Sequence, residues 1–292
     1  MHDYLQAIGF DRSMTRKEME KLVQQIIENP DEVTVHESKS GEKIMQYDKR
    51  FSPVSGVSVV GIENAKGDFF LEYVYPYALA KNYFYHEDIQ VEKYADRDAF
   101  AGVCDDVNLG VPLIFYINNG IHYLNMNQYK EIFPSVNTVM LSALSLEGRI
   151  ILNVEKDEAQ IRKEEKSSRH RHQLLEAARE GDPNAIEILT LDDMDTYHLV
   201  SRRSKKEDLF TIVDSYCIPY GVETDKYSIL GTIIDVNEFE NEITGKSQYY
   251  LSVVCNDLEM DVCINKEDLL GEPLKGRRFK GVVWLQGMID YI

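Results

Sequence analysis

The sequence predicts an α+β protein in three parts, and three observations predict it. A capping box opens one amphipathic helix near the start, and period-two and continuous apolar runs then dominate to about residue 155. At Lys156 the composition turns abruptly to charged helical sequence, and strand patterns return after Gly221. The expected division is a helix plus β-rich N-terminal domain over 1–155, a helical segment over 156–225, and a small antiparallel β-barrel-like module, OB-like in type, over 226–292. With 292 residues, 43% of them hydrophobic, the chain can bury a sizeable core.

Thr15-Arg-Lys-Glu18 caps a helix whose apolar stripe is Met19, Leu22, Val23, Ile26 and Ile27, and Asn29-Pro30 ends it. The β-rich region contains Leu113–Ile117 and Ile121–Leu124 around Asn118-Asn119-Gly120, which the pattern predicts as a tight hairpin. A second hairpin is predicted at Glu147-Gly148, joining Val139–Leu146 to Arg149–Val154. Lys156 to Lys166 reads as a solvated helix or linker. Leu174, Leu175 and Ala178 follow before Gly181, and Asp182-Pro183 begins another helix. Thr190 is expected to cap the next one, and Ser204-Lys-Lys-Glu207 a last one with Leu209, Ile212, Val213 and Tyr216 on its buried face. Strands are expected at Tyr227–Glu238, Gln248–Cys255, Leu258–Ile264 and Phe279–Leu285, with a hairpin loop at Asn241–Gly245 and a short helix at Asn265–Asp268.

The 50 Asp and Glu against 32 Lys and Arg leave a net charge of −18. The excess of acids holds in each of the three segments, so the negative field is global and repels phosphate backbones and anionic lipid. No stretch is long and apolar enough to span a bilayer, and the start has no secretory pattern, so a cytoplasmic protein without membrane partners is expected. The 4 Cys show no C-x-x-C pair and no His at zinc spacing. They are expected as reduced, buried small hydrophobes.

Catalytic motifs fail one by one. Gly245-Lys246-Ser247 lacks the earlier Gly of a phosphate loop, because position 240 is Glu240. Gly56-Val-Ser58-Val-Val60 has Val60 where a hydrolase elbow needs Gly. His170 and His172 point apart on a helix, and Asp192, Asp193 and Asp195 read as first-turn acids placed by the helix dipole. No metal and no cofactor is expected. Two features keep a ligand in view: the carboxylates Asp105 and Asp106, and the ring-dense stretch containing Tyr75, Tyr77, Tyr83 and Tyr85. The basic run Lys275–Lys280 with Trp284 is the one nucleic-acid candidate, set against a net acidic module.

Several blocks resemble a family from clostridial bacteria catalogued as a domain of unknown function. They are His2–Phe10, Tyr94–Asp106, Pro112–Tyr116, Gly181–Ile186, Asp195–Tyr197 with Val200–Arg203, Pro219–Glu223, and Gly271–Pro273 through Gly276–Phe279 to Trp284–Gly287. The resemblance runs nearly end to end and implies a bacterial cytosolic origin and a shared domain plan, with no activity to carry over.

The expected function is therefore a non-enzymatic binding or scaffolding protein, with a protein partner or self-association left open. The alternative is a small-molecule binder or enzyme using Asp105 and Asp106 with the tyrosines, and the third is nucleic-acid binding through the C-terminal module. A pocket of several hundred Å3 lined by the rings favours the second, and a flat aromatic patch the first.

Overall fold

The structure is a computed structural model that describes residues 3–38, 41–81, 84–85, 89–94, 99–105, 112–127, 138–153 and 158–290. After a short 3-10 helix (Asp3–Ile8), the expected first helix is present as α1 (Arg16–Glu28), with both halves of the Thr15–Glu18 capping box formed. Four strands then build an antiparallel meander: β1 (Glu32–Glu37), β2 (Lys43–Ser52), β3 (Ser55–Glu63) and β4 (Phe69–Ala78). Cross-strand register sends Val57, Val59 and Val74 to one face and Ser58, Val60, Tyr73 and Tyr75 to the other. α1 packs on β2 and β3 through Leu22, Val23 and Ile26.

The second sheet takes strands from both ends of the chain. β5 (Phe84–Tyr85), β6 (Gln90–Lys93), β7 (Phe100–Asp105), β8 (Pro112–Ile117) and β9 (Thr138–Ile151) precede the helices, with α2 (Gly120–Asn127) between β8 and β9. β10 (Tyr216–Pro219), β11 (Lys226–Glu240), β12 (Ser247–Cys255), β13 (Leu258–Asn265), β14 (Leu269–Leu270) and β15 (Arg278–Asp290) follow them. The pairings β11–β12, β12–β13, β13–β9, β9–β15 and β15–β11 close a five-stranded barrel, and β8, β7 and β6 continue outward from β15. The barrel needs β9, so the strands read as a C-terminal module share one sheet with the segment before residue 155.

Alternation gives the barrel two buried faces. Leu141, Ile229, Leu251, Val262, Phe279 and Val283 fill its interior. Leu144, Tyr250, Cys263 and Trp284 point outward into a second core with Ile8, Phe51 and Val57. Polar side chains stitch this seam. Gln286 on β15 accepts from Ala78 N at 3.1 Å and donates to Pro76 O at 2.9 Å, and Ser142 on β9 donates to Ala78 O at 2.7 Å.

Four expectations are corrected. Gly120–Asn127 is helix, not the second arm of a hairpin. Asn119 instead mimics a strand residue, its side chain donating to Ile289 O at 2.7 Å and accepting from Ile289 N at 3.1 Å, while its carbonyl receives Tyr123 N. β9 runs straight through Glu147-Gly148, where Gly148 serves close packing: a Cβ there would stand 2.5 Å from the Phe279 ring. Thr190 lies inside α4 (Pro183–Arg203), its hydroxyl donating to Ile186 O, so Asp192, Asp193 and Asp195 are mid-helix acids and not first-turn ones. Asp193 pairs with Arg171 of α3 (Glu158–Arg179) at 2.8 Å. Finally, Ser204 ends α4 and Asp208 caps a single turn, α5 (Leu209–Ile212). Tyr216 joins a strand, because the exposed edge of β11 offers backbone partners that a solvated helix does not.

The Asp182-Pro183 start, the Asn241–Gly245 loop and the Asn265-capped turn form as expected. All four cysteines are free and buried. Among the described residues no helix is long and apolar enough to cross a membrane.

Candidate functional site

The period-two pattern of β4 aims Tyr73 and Tyr75 at the seam between the two sheets. There they meet rings brought from four other places: Tyr4 of the 3-10 helix, Tyr94 after β6, Tyr116 of β8 and Trp284 of β15. Ring centroids lie 4.9 Å apart for Tyr75–Tyr116, 5.2 Å for Tyr116–Trp284, 5.4 Å for Tyr4–Trp284 and 6.2 Å for Tyr94–Tyr116, all tilted or edge-on. They wall a pocket of about 310 Å3.

Asp225 anchors this wall. Its Oδ2 accepts from Trp284 Nε1 at 2.8 Å and from Tyr94 Oη at 3.2 Å, and its carbonyl receives Leu285 N. Asp3, Glu223 and Lys226 complete the lining. Lys226 pairs with Glu223 at 3.1 Å, and its ammonium stands 5.5 Å from the centre of the Tyr4 ring. Burial pushes the Tyr4, Tyr75 and Tyr116 hydroxyls well above the ordinary phenol range, so all three are neutral near pH 7. A second concavity of about 590 Å3 continues from Asp3, Tyr4, Glu223 and Lys226 towards Asp11 and Glu147.

A separate cleft of about 330 Å3 opens at the other end of the same tyrosine row, lined by Asp48, Ser58, Tyr77, Asn118, His122 and Met288 among others. Asp48 accepts hydrogen bonds from Ser58 Oγ and from Gln46 Nε2, the latter at 3.0 Å. Burial pushes its carboxyl up to about 6 against those bonds. Asn118 Oδ1, on a buried side chain, has no hydrogen-bond partner among the described residues. Tyr75 ties the two sites together by donating to Asn118 O at 2.8 Å. The larger groove of about 740 Å3 between α1 and the start of β4 is an apolar trough rimmed by solvent-facing Arg16, Glu20, Gln24 and Glu28.

Of the residues singled out in the sequence, Tyr75 lines the aromatic pocket and Tyr77 the Asp48 cleft. Asp105 ends β7 and Tyr85 lies in β5 opposite Thr138. Asp106 and Tyr83 lie outside the described residues. Sequence reasoning missed Tyr4, Tyr94, Tyr116, Asp225 and Asp48. No local motif marks them, since the residues that meet at each site come from parts of the chain far apart in sequence. Trp284, grouped with the nucleic-acid candidate, is only 5% exposed. Part of the basic run turns inward. Arg278, 2% exposed, donates to Phe210 O at 2.7 Å, Leu152 O at 2.8 Å and Val213 O at 3.0 Å. Lys280 stands 5.1 Å from the centre of the Phe210 ring.

The fold and its clefts define a β-rich barrel protein with an aromatic-walled pocket at the seam of its two sheets. The sequence model of DUF3881, a domain of unknown function described from an E. rectale gene, matches residues 5–287. The chain belongs to this family. No curated protein and no solved structure matches it.

Proposed function

We propose that the protein is a non-enzymatic, cytoplasmic binding protein whose ligand is a small molecule held in the aromatic pocket. The observation that carries this reading is the roughly 310 Å3 concavity walled by Tyr4, Tyr73, Tyr75, Tyr94, Tyr116 and Trp284 with Asp225 behind them. Its size falls in the ordinary range for ligand sites, and sites of that kind combine apolar walls with a few convergent polar groups. A thermal-shift screen of the full chain against metabolites and nucleotides tests it. A ligand present at 100 times its Kd adds about 2.7 kcal/mol to the native state and raises Tm. Tyr73→Ala at the rim should erase that shift. A screen without a hit, or a hit indifferent to Tyr73→Ala, would overturn the reading.

A second reading, an enzyme, is favoured by Asp48, since a carboxyl raised to about 6 in a cleft that His122 also lines suits general acid–base work. A turnover assay on any ligand the screen finds, with Asp48→Asn as the comparison, decides between the two.

Against nucleic acid stands the barrel's own packing. The connectivity supports an OB-like barrel: β11 is long, bulged at Ile233/Asp235 and shared by β12 and β15, and β13 pairs in parallel with β9. In OB-folds the second and third strands present the oligonucleotide face. Here the outward side chains of β12 and β13 are taken by the chain itself. Tyr250 donates to Leu79 O at 2.6 Å, Gln248 accepts from Ser55 Oγ at 3.0 Å, and Asp261 accepts from Lys81 N.

A further inference from the structure

We propose that the aromatic pocket takes an organic cation, with a quaternary ammonium or protonated alkylammonium group seated among the rings of Tyr4, Tyr73, Tyr116 and Trp284. This deepens the binding reading above and rests on it.

Three observations converge. The first is the wall itself. Aromatic faces carry negative quadrupole density and attract a cation within about 6 Å of a ring centre, most strongly when water is excluded. The rings pack on one another with centroids 4.9 to 6.2 Å apart, so the cavity wall is one continuous aromatic surface and a compact cation resting on it lies near more than one ring.

The second is charge. Asp3, Glu223 and Asp225 line the pocket against Lys226 alone. The phenols are held neutral by burial and add no charge of their own, so the four groups set the balance. The adjoining concavity adds Asp11 and Glu147 against Arg12, and the chain as a whole carries −18. An anionic ligand would meet repulsion at every step of entry, whereas a cation is drawn in.

The third is an ammonium already in the right place. Lys226 Nζ sits 5.5 Å from the centre of the Tyr4 ring while pairing with Glu223. The rim thus holds a cation by ring and carboxylate together, which is the arrangement a free ligand would use deeper in.

Trp284 is the only Trp in the chain, so its emission reports occupancy directly. The full-length protein is titrated at constant ionic strength with choline and, separately, with 3,3-dimethyl-1-butanol, which has the same shape with carbon in place of the charged nitrogen. A saturable change in Trp284 emission is expected with choline, at least tenfold tighter than with the neutral alcohol. Glu223→Gln should weaken choline several-fold and leave the alcohol unchanged. Lys226→Met, which removes the internal competitor, should tighten choline. Equal affinity for the two probes would overturn the cation assignment while leaving a small-molecule pocket standing. No response to choline alongside a pocket-dependent hit on a neutral or anionic metabolite would overturn it in the same way. Silence in both experiments would remove the binding reading with it.

Discussion

Asp48 shows how one residue couples the seam to pH. Its carboxyl is ordinarily at 3.8 and is raised to about 6 by burial, so between those values the folded state holds a proton that the unfolded chain has released. Folding is therefore most favoured below about pH 4 at this group and loses stability as pH rises, the full cost, roughly 2–3 kcal/mol, being present above pH 6. Urea melts at pH 4, 5, 6 and 7 should show this decline in the native protein and a flatter profile in Asp48→Asn. Equal slopes would show that the carboxyl is hydrated. Arg278 acts in the opposite sense. Its guanidinium serves the carbonyls of Leu152, Phe210 and Val213, joining the end of β9 and the α5 turn to the barrel. Arg278→Met strands those acceptors and is expected to cost about 3 kcal/mol in chemical denaturation. Replacing the half-buried Arg277, whose ion pair with Glu272 lies at the surface, should by contrast change stability by less than about 0.5 kcal/mol.

At the scale of elements, the closest approaches are made by glycine against rings. A Cβ at Gly102 would come within 2.2 Å of Phe115, and one at Gly287 within 2.5 Å of the same ring. Phe115 is fully buried between β7 and β15, so neither neighbour can give way cheaply. Gly287→Ala is predicted to destabilise by about 1–3 kcal/mol, measured by the urea midpoint at unchanged m-value. An unchanged midpoint would mean that Phe115 can rotate away. The elements legible in the sequence were those with a complete local code. The Thr15 capping box, the Asp182-Pro183 start and the Asn241–Gly245 loop each form from residues within a few positions of one another. The misread elements share a cause. Asn118-Asn119-Gly120 and Glu147-Gly148 carry turn residues, but the first serves β15 through the Asn119 side chain and the second makes room for Phe279. Both uses are long-range, and no local signal separates them from a hairpin.

For the whole molecule, the acidic field and the covered barrel face make one joint prediction. A labelled 20-nucleotide strand at about 0.15 M salt should show no saturable binding below roughly 100 µM. Micromolar binding lost on Arg277→Glu would revive the nucleic-acid reading; Arg278 is no test, because its charge is spent inside. The sequence by itself determined the β-rich composition, the α1 stripe, the helical stretch after residue 156, the burial of the cysteines, and the family resemblance that the match over residues 5–287 bears out. Each rests on local periodicity, capping chemistry or composition. Only the tertiary structure decided that β9 closes a barrel with strands more than seventy residues later, and that Tyr4, Tyr75, Tyr116, Asp225 and Trp284 share one pocket. Pairing partners across a sheet are chosen by the packing of both faces over the whole chain, and period two alone says only which side a residue faces, never whom it will meet.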